Sequence, residues 1–257
     1  SDLVLTSGEQ VTIGLLSAAL KNIGVKSIPL LGWQIPIMTD DNYEKAKILQ
    51  INKKRIKEYF SNNDVIVLAG FQGINLDGKI TSLGRGGSDT TAVAIASALD
   101  SERCDIYTDV EGVFTTDPNL VPKAKKIEKI SYEEMLEMSS LGTKVMQPHS
   151  IQDARLNRID IEVRSSFKNI SGSIITKKKN VSTKNIIRGV SFTKNDSKIT
   201  LVGVKDKPGV AANIFEPLFK NSINVDMVVQ NISSNKKETD LTFTIKNEDL
   251  NKTKKII

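Results

Sequence analysis

Apolar and polar positions along the chain fall into short blocks of two periods, one near 3.6 and one near 2. Val11, Leu15, Leu16, Ala19 and Leu20 recur at helical spacing behind a start signal at Thr6 or Ser7. That start puts Glu9 in a first turn, where a carboxylate complements the helix dipole. Residues 26–31 predict a strand, followed by an irregular stretch, a helix from Asp40 or Asp41, and a second helix over 53–60. Val65-Ile66-Val67-Leu68-Ala69 reads as a buried strand that enters a loop, GFQGINLDGK. A β-like approach at 80–83 then runs into Gly84-Arg85-Gly86-Gly87, and Ser88 and Asp89 open a helix of small apolar residues. Further on, the pattern predicts a strand over 104–107, helices over 132–139 and 148–156, and strands over 159–163 and 173–176.

Helices alternating with buried strands indicate an α/β domain with a largely parallel sheet, and ligands in such folds sit beyond the C-terminal ends of strands. Residues 177–185 (KKKNVSTKN) are basic and poor in apolar positions, as a linker is. Beyond them the order becomes strand (186–192), strand (198–204), helix (209–220), strand (224–232), strand (240–245) and a helix start at Glu248. From Lys198 this is βαββα, a ferredoxin-like α+β unit one strand short. The expected organisation is therefore a first domain over 1–176, a linker over 177–185 and a second, partial domain over 186–257.

Composition narrows the picture. The chain has 257 residues, 39% hydrophobic and 26% charged, as a soluble globular protein has. No apolar run approaches the roughly 18 residues that span a bilayer, and the first residues lack a signal-peptide pattern, so the cytoplasm is expected and a membrane is not. The net charge of +6 is uneven: residues 177–257 hold 16 Lys+Arg against 8 Asp+Glu, which leaves 20 against 22 before them. These lysines are scattered without interleaved aromatics, which favours a solvated face over nucleic-acid binding. One cysteine, Cys104, and one histidine, His149, leave no Cys/His cluster for a metal, and Cys104 reads as a small core residue. Trp33, the single tryptophan, reads as a packing anchor.

Candidate chemistry centres on the glycine-rich turn. Three glycines permit close backbone approach, the first helix amides lack partners, and Arg85 offers a fork suited to carboxylate or phosphate. The same residues also suit a tight connection alone. Thr108-Asp109 and Thr116-Asp117 bracket Gly112 after the strand at 104–107 and suit either a turn or a ribose, phosphate or magnesium contact. Lys144, in Gly142-Thr143-Lys144, suits a phosphate contact or plain solvation.

In order and spacing, LTSGEQV, GFQG, TSLGRGGSDTTAVAIASAL, CDIYTDVEGVFTTDP, ISYEEMLEMSSLGTKVM and VRSSF resemble the aspartate kinase family, and DKPGVAANIF with NVDMVVQNIS is similar to its first ACT domain. The resemblance implies a three-layer amino-acid-kinase sheet sandwiched by helices, followed by a ferredoxin-like ACT unit. It also implies transfer of the ATP γ-phosphoryl group to the side-chain carboxylate of L-aspartate, with Mg2+, feedback by lysine or threonine, and a homodimer paired through ACT units. By motif, Arg85 and Glu9 would hold the aspartate carboxylate and amino group, with Thr39, Gly86 and Gly87 beside them. Asp89 would orient the catalytic network, Thr108, Asp109 and Phe114 would meet the nucleotide, and Lys144 would reach the phosphates. Asp206, Gly209, Val210, Asn224, Asp226, Gln230 and Asn231 would contact the effector.

Departures accompany the resemblance. The family opens with a strand and a Lys-x-Gly-Gly loop, and closes with a second ACT domain, neither of which has a counterpart in this sequence. Phe114, Asn119 and His149 stand where the family often has Tyr, Arg and, nearby, Arg. Weak or absent turnover by this chain alone is the expectation. A kinase for N-acetylglutamate and an amino-acid-sensing subunit without catalysis are the competing readings.

Overall fold

A computed structural model describes residues 1–143, 145–177, 187–205, 207–232 and 238–257 of the chain. Contacts divide it into two units, Ser1–Phe192 and Thr193–Ile257. The proposed linker at 177–185 lies, apart from Lys177, outside the described residues.

The first unit runs α1 (Asp2–Asn22), β1 (Ser27–Leu30), β2 (Ile37–Thr39), β3 (Ile48–Ile51), α2 (Lys53–Phe60), β4 (Val65–Leu68), β5 (Gln72–Ile74), β6 (Ile80–Ser82) and α3 (Gly87–Ala98). It continues through β7 (Arg103–Thr108), β8 (Lys129–Ser131), α4 (Tyr132–Ser140), α5 (Pro148–Asn157), β9 (Asp160–Ser165) and β10 (Ser173–Thr176). Its strands form a parallel pair β1-β4, a four-stranded sheet β7-β9-β10-β8 and a second one, β3-β2-β5-β6. In the first of these β9 and β10 run antiparallel; in the second only β2 and β5 are parallel. The unit is α/β as expected, but its sheets are mixed rather than largely parallel.

Three hairpins, β2-β3, β5-β6 and β9-β10, account for that difference, and the pattern along the chain does not predict the first two. Residues 40–47 form a turn between β2 and β3, not a helix: the Asp40 carboxylate accepts the amides of Asn42 (3.3 Å) and Lys47 (3.0 Å), and the Asp40 amide donates to the Lys47 carbonyl. Aspartate serves such a turn as readily as it caps a helix. Within GFQGINLDGK, β5 pairs with both β2 and β6, and Gly73 is there because a Cβ would meet the Ile37 carbonyl oxygen at 2.6 Å. The glycines that suggest a loop instead let neighbouring backbones meet.

Helix α1 starts at Asp2, earlier than the Thr6 or Ser7 signal indicates, because both hydroxyls bond back to helix carbonyls: Thr6 Oγ1 to Asp2 O (2.9 Å) and Ser7 Oγ to Val4 O (2.8 Å). Glu9 thus lies inside the helix and not in its first turn. By length and composition α1 is apolar enough to cross a membrane, contrary to the expectation of no such run. Asp2, Thr6, Ile13 and Ser17 nevertheless form a buried stripe, Ile13 packs with Val67 and Ala69, and Ser17 bonds Ser27 across 2.9 Å. Trp33 is 53% exposed and anchors no core.

The principal core lies between the β7-β9-β10-β8 sheet and α3, α4 and α5, with Val93, Ile106, Met135, Ile151, Ile161 and Ile175 among its buried residues. Ser131 and Glu134 close a capping box on α4, and the buried Tyr132 hydroxyl donates to the Ile159 carbonyl at 2.8 Å. Cys104 belongs to this core, and burial pushes its thiol up to about 11, in keeping with an unreactive packing role.

The second unit is β11 (Asp196–Lys205), α6 (Val210–Lys220), β12 (Val225–Ile232), β13 (Glu238–Lys246), a 3-10 turn at Asn247–Asp249 and α7 (Leu250–Ile256). Its antiparallel sheet has the order β11-β13-β12, and Leu218, Ile223, Phe243 and Ile245 form its core. Residues 187–192, expected as a further strand here, are irregular and belong to the first unit.

Asp2 fastens α1 to the turn that leads into the glycine-rich segment. Its carboxylate accepts the amides of Glu44 (3.0 Å) and Ser82 (2.7 Å) and the Ser82 hydroxyl (3.1 Å). Burial alone raises its pKa, but these bonds together outweigh burial and hold it below the ordinary 3.8. The folded carboxylate therefore adds stability that is complete above 3.8 and lost as pH falls through the depressed folded value. Asp2→Ala should cost about 1–3 kcal/mol at neutral pH by urea denaturation. The gap to wild type should narrow below roughly pH 4.

Candidate functional site

The glycines of the GRGG turn work mainly against protein neighbours. Gly84 and Gly86 have φ of +76° and +73°, where a side chain is strained. A Cβ on Gly86 would overlap the side chain of Gln147, and one on Gly87 would meet Phe71 Cδ2 at 2.8 Å. This allows the start of α3 to lie against the start of α5, where Thr90 and Ser150 share a hydrogen bond of 3.0 Å.

Short connections bring the strand ends to the same place. Helix α3 packs on β7, and four residues separate the two, so they run antiparallel. Twelve helical residues span about 18 Å and six strand residues about 20 Å, which puts the α3 N-terminus level with Thr108. The same reasoning brings the α5 N-terminus level with Ser165, the partner of Thr108 across the parallel β7-β9 pair. Two helix N-termini and two strand C-termini therefore face one end of the unit, an arrangement that favours anions.

Among the sequence candidates, Glu9 reaches this end from α1 and accepts a bond from Ser88 Oγ at 3.1 Å. Arg85 is exposed on the turn and forms no ion pair with any described residue. Thr39 is buried at the end of β2, its hydroxyl bonded to that of Thr81 at 2.6 Å, so it sits beneath the surface. Asp89 is half-buried in the first turn of α3, and burial raises its pKa while the charge of His149 partly offsets the rise; Asp153 on α5 behaves alike. His149, exposed at the start of α5, is thus near enough to act on both carboxylates.

Thr108, Asp109 and Phe114 line one cavity of about 500 Å³, with Thr116, Asp117, Asn119, Thr143 and Val190–Phe192. Thr108 Oγ1 donates to Asp109 Oδ1 (3.1 Å), and the Asp117 carboxylate accepts the Asn119 amide (2.9 Å). Lys144 follows Thr143 in sequence and lies outside the described residues. Thr143 and residues 190–192 are not among the candidates that the sequence offers. The Gly142 beside Thr143 was a usable signal; the Val-Ser-Phe run offers only an alternation that also fits a strand.

In the second unit a cavity of about 350 Å³ gathers Gly209, Val210 and Gln230 with Lys205, Lys207 and Thr239. Asn224 and Asp226 do not line it. An extra residue in β12 between Val225 and Val228 breaks the alternation that would put Asp226 and Gln230 on one face. Asp206 and the Asn231 side chain lie outside the described residues.

A layered α/β unit with an anion-facing end and a cavity of about 500 Å³, followed by a small βαββα unit, defines the class: a two-unit α/β protein with its candidate site in the first unit. Residues 1–165 match the amino acid kinase family and residues 199–257 the ACT domain. The chain belongs to the amino acid kinase family. It is 46% identical over all 257 residues to an aspartate kinase of Pseudomonas putida, of which it spans 62%. E. coli aspartokinase III, solved in complex with aspartate and ADP, is similar at a TM-score of 0.79 and 28% identity, covering 95% of this chain and 54% of that one. The same enzyme in complex with lysine and aspartate gives 0.76 at the same identity and coverage.

Two substitutions test this geometry. Gly78→Ala, at φ +73° in open space, should cost about 1 kcal/mol by urea denaturation, and Gly86→Ala a further 1–3 or so because of the overlap with Gln147. Asp89 holds its proton more tightly folded than unfolded, so it costs stability increasingly as pH rises from 3.8 through the raised folded value. Asp89→Asn should therefore raise the thermal midpoint at neutral pH, and that advantage should vanish below roughly pH 4.

Proposed function

We propose that this chain supplies the greater part of the catalytic domain, and a regulatory ACT unit, of an aspartate kinase. The observation that carries this reading is the 46% identity to an aspartate kinase along the whole chain. The site geometry supports it: the anion-facing turn and the cavity lined by Thr108, Asp109 and Phe114 share one end of the unit.

In this reading the side-chain carboxylate of L-aspartate, already ionised at neutral pH, attacks the γ-phosphorus of ATP. A carboxylate oxygen to phosphorus bond forms as the bridging bond to the β-phosphate breaks, and ADP leaves with the electron pair. No general base is needed, so the protein's work is alignment and charge neutralisation. Arg85 pairs with an aspartate carboxylate, Glu9 takes the amino group, and Gly86 and Gly87 set the turn that presents backbone amides. Asp89 orients the surrounding groups, Thr108 and Asp109 meet the nucleotide, and Lys144 reaches the phosphates.

Among the described residues no three His, Cys, Asp or Glu side chains gather as a metal cage. Mg2+ would arrive on the ATP phosphates, with Asp109 and Asp117 at the cavity as nearby acidic groups. Lysine or threonine would act as effector in the second unit's cavity beside Gly209, Val210 and Gln230, in a cytoplasmic homodimer formed through ACT units.

Hydroxylamine trapping with L-aspartate and MgATP should yield aspartyl hydroxamate from a full-length version of the protein, and calorimetry should detect ADP binding to the chain itself. In the full-length version Arg85→Ala should lower kcat/KM for aspartate about 100-fold or more, with ADP affinity changed little. A preference for N-acetylglutamate, or failure of ADP to bind, would refute the assignment.

A further inference from the structure

The described segment that precedes the second unit, residues 187–192, is tied into the first unit on several sides of the 500 Å³ cavity. The Val190 amide donates to the Thr115 carbonyl at 2.7 Å, in the loop that carries Phe114 and Thr116. Ser191 and Thr143, which both line the cavity, share a hydroxyl hydrogen bond of 3.0 Å. Upstream, Arg188 lies 3.6 Å from Glu134 on α4 and donates to the Lys129 carbonyl at 2.5 Å. Gly189 leaves no room for a side chain without displacement: its Cβ would stand 3.1 Å from both the Thr115 carbonyl oxygen and Met138 Cε.

The segment is thus held as a strap that presents two apolar side chains to the cavity. Val190 is 61% and Phe192 43% exposed, and both line the cavity, whose remaining lining mixes hydroxyls and carboxylates from Thr108, Asp109, Thr116 and Asp117 with apolar Val110, Phe114, Pro118 and Val145. A nucleotide likewise carries a flat apolar base at one end and hydroxyls and phosphates at the other. Exposed apolar side chains at a cavity that also holds polar groups suit the base.

We propose that the strap is the base-side wall of the nucleotide pocket, with Val190 and Phe192 contacting the purine and the Ser191–Thr143 hydrogen bond holding the wall closed. This rests on the nucleotide reading of the cavity and adds to it Val190, Ser191 and Phe192, which lie outside all the motifs that carry the family resemblance. Phe192 then determines nucleoside affinity without touching the phosphates, and the strap amides become shielded when ADP binds.

The test uses the whole chain and two probes, ADP and inorganic tripolyphosphate. Phe192→Ala, at a partly exposed position, should weaken ADP about tenfold. Tripolyphosphate, having no base, should change by no more than about twofold. Thr143→Val should weaken ADP in the same selective way, and hydrogen exchange on the wild-type chain should slow at Val190–Phe192 on adding ADP. Equal losses for both probes, or ADP binding that leaves both the variants' affinity and strap exchange unchanged, would overturn the strap's role alone. No ADP binding to the wild-type chain would overturn the nucleotide reading and the strap with it.

Discussion

The left-handed turn at Gly86 sets how closely two helices approach, and the candidate site depends on that distance. With no Cβ to collide with Gln147, the first turn of α3 settles against the first turn of α5 and Thr90 reaches Ser150. Both helices feed their strands through short connections, so their N-termini share an end with Thr108 and Ser165. Unpaired amides and two positive dipole ends converge there, and Arg85 adds a full charge. The same crowding half-buries Asp89 and raises its pKa. If charged ligands bind there as proposed, a carboxylate whose burial disfavours its charge is the usual trade between stability and function.

Much of this was legible in the chain because long, strongly patterned elements declare themselves. Helices α2, α3, α4 and α5 and the βαββα order of the second unit follow from apolar spacing and cap residues. The two hairpins were hidden for a physical reason: β2, β3 and β5 are three or four residues long and exist through pairing with one another, a non-local fact. Glycine misled in a particular way. Its presence in GFQG and GRGG signals a special backbone, yet the sequence does not say whether the open space faces a ligand, as the anion reading holds, or protein, as Gly73, Gly86 and Gly87 show. The paired residues Thr108 and Asp109 were visible as chemistry, whereas Val190, Ser191 and Phe192 carry no chemical signature and gain significance only from what they border.

The proposed strap would give the proposed regulation a physical route. Phe192 ends the first unit and Thr193 begins the second, so the chain that walls the cavity passes without interruption into β11. If the strap closes on a nucleotide as proposed, anything in the second unit that pulled on this stretch would change the free energy of closing the wall. By reciprocity, a nucleotide closing the wall would change the second unit's affinity for a ligand of its own by the same factor. Such coupling needs no long relay of side chains. It requires only that the strap have two arrangements of similar energy, and its few anchors, the Thr115 carbonyl, the Thr143 hydroxyl and the Arg188 contacts to α4 and Lys129, are hydrogen bonds and an ion pair of modest strength.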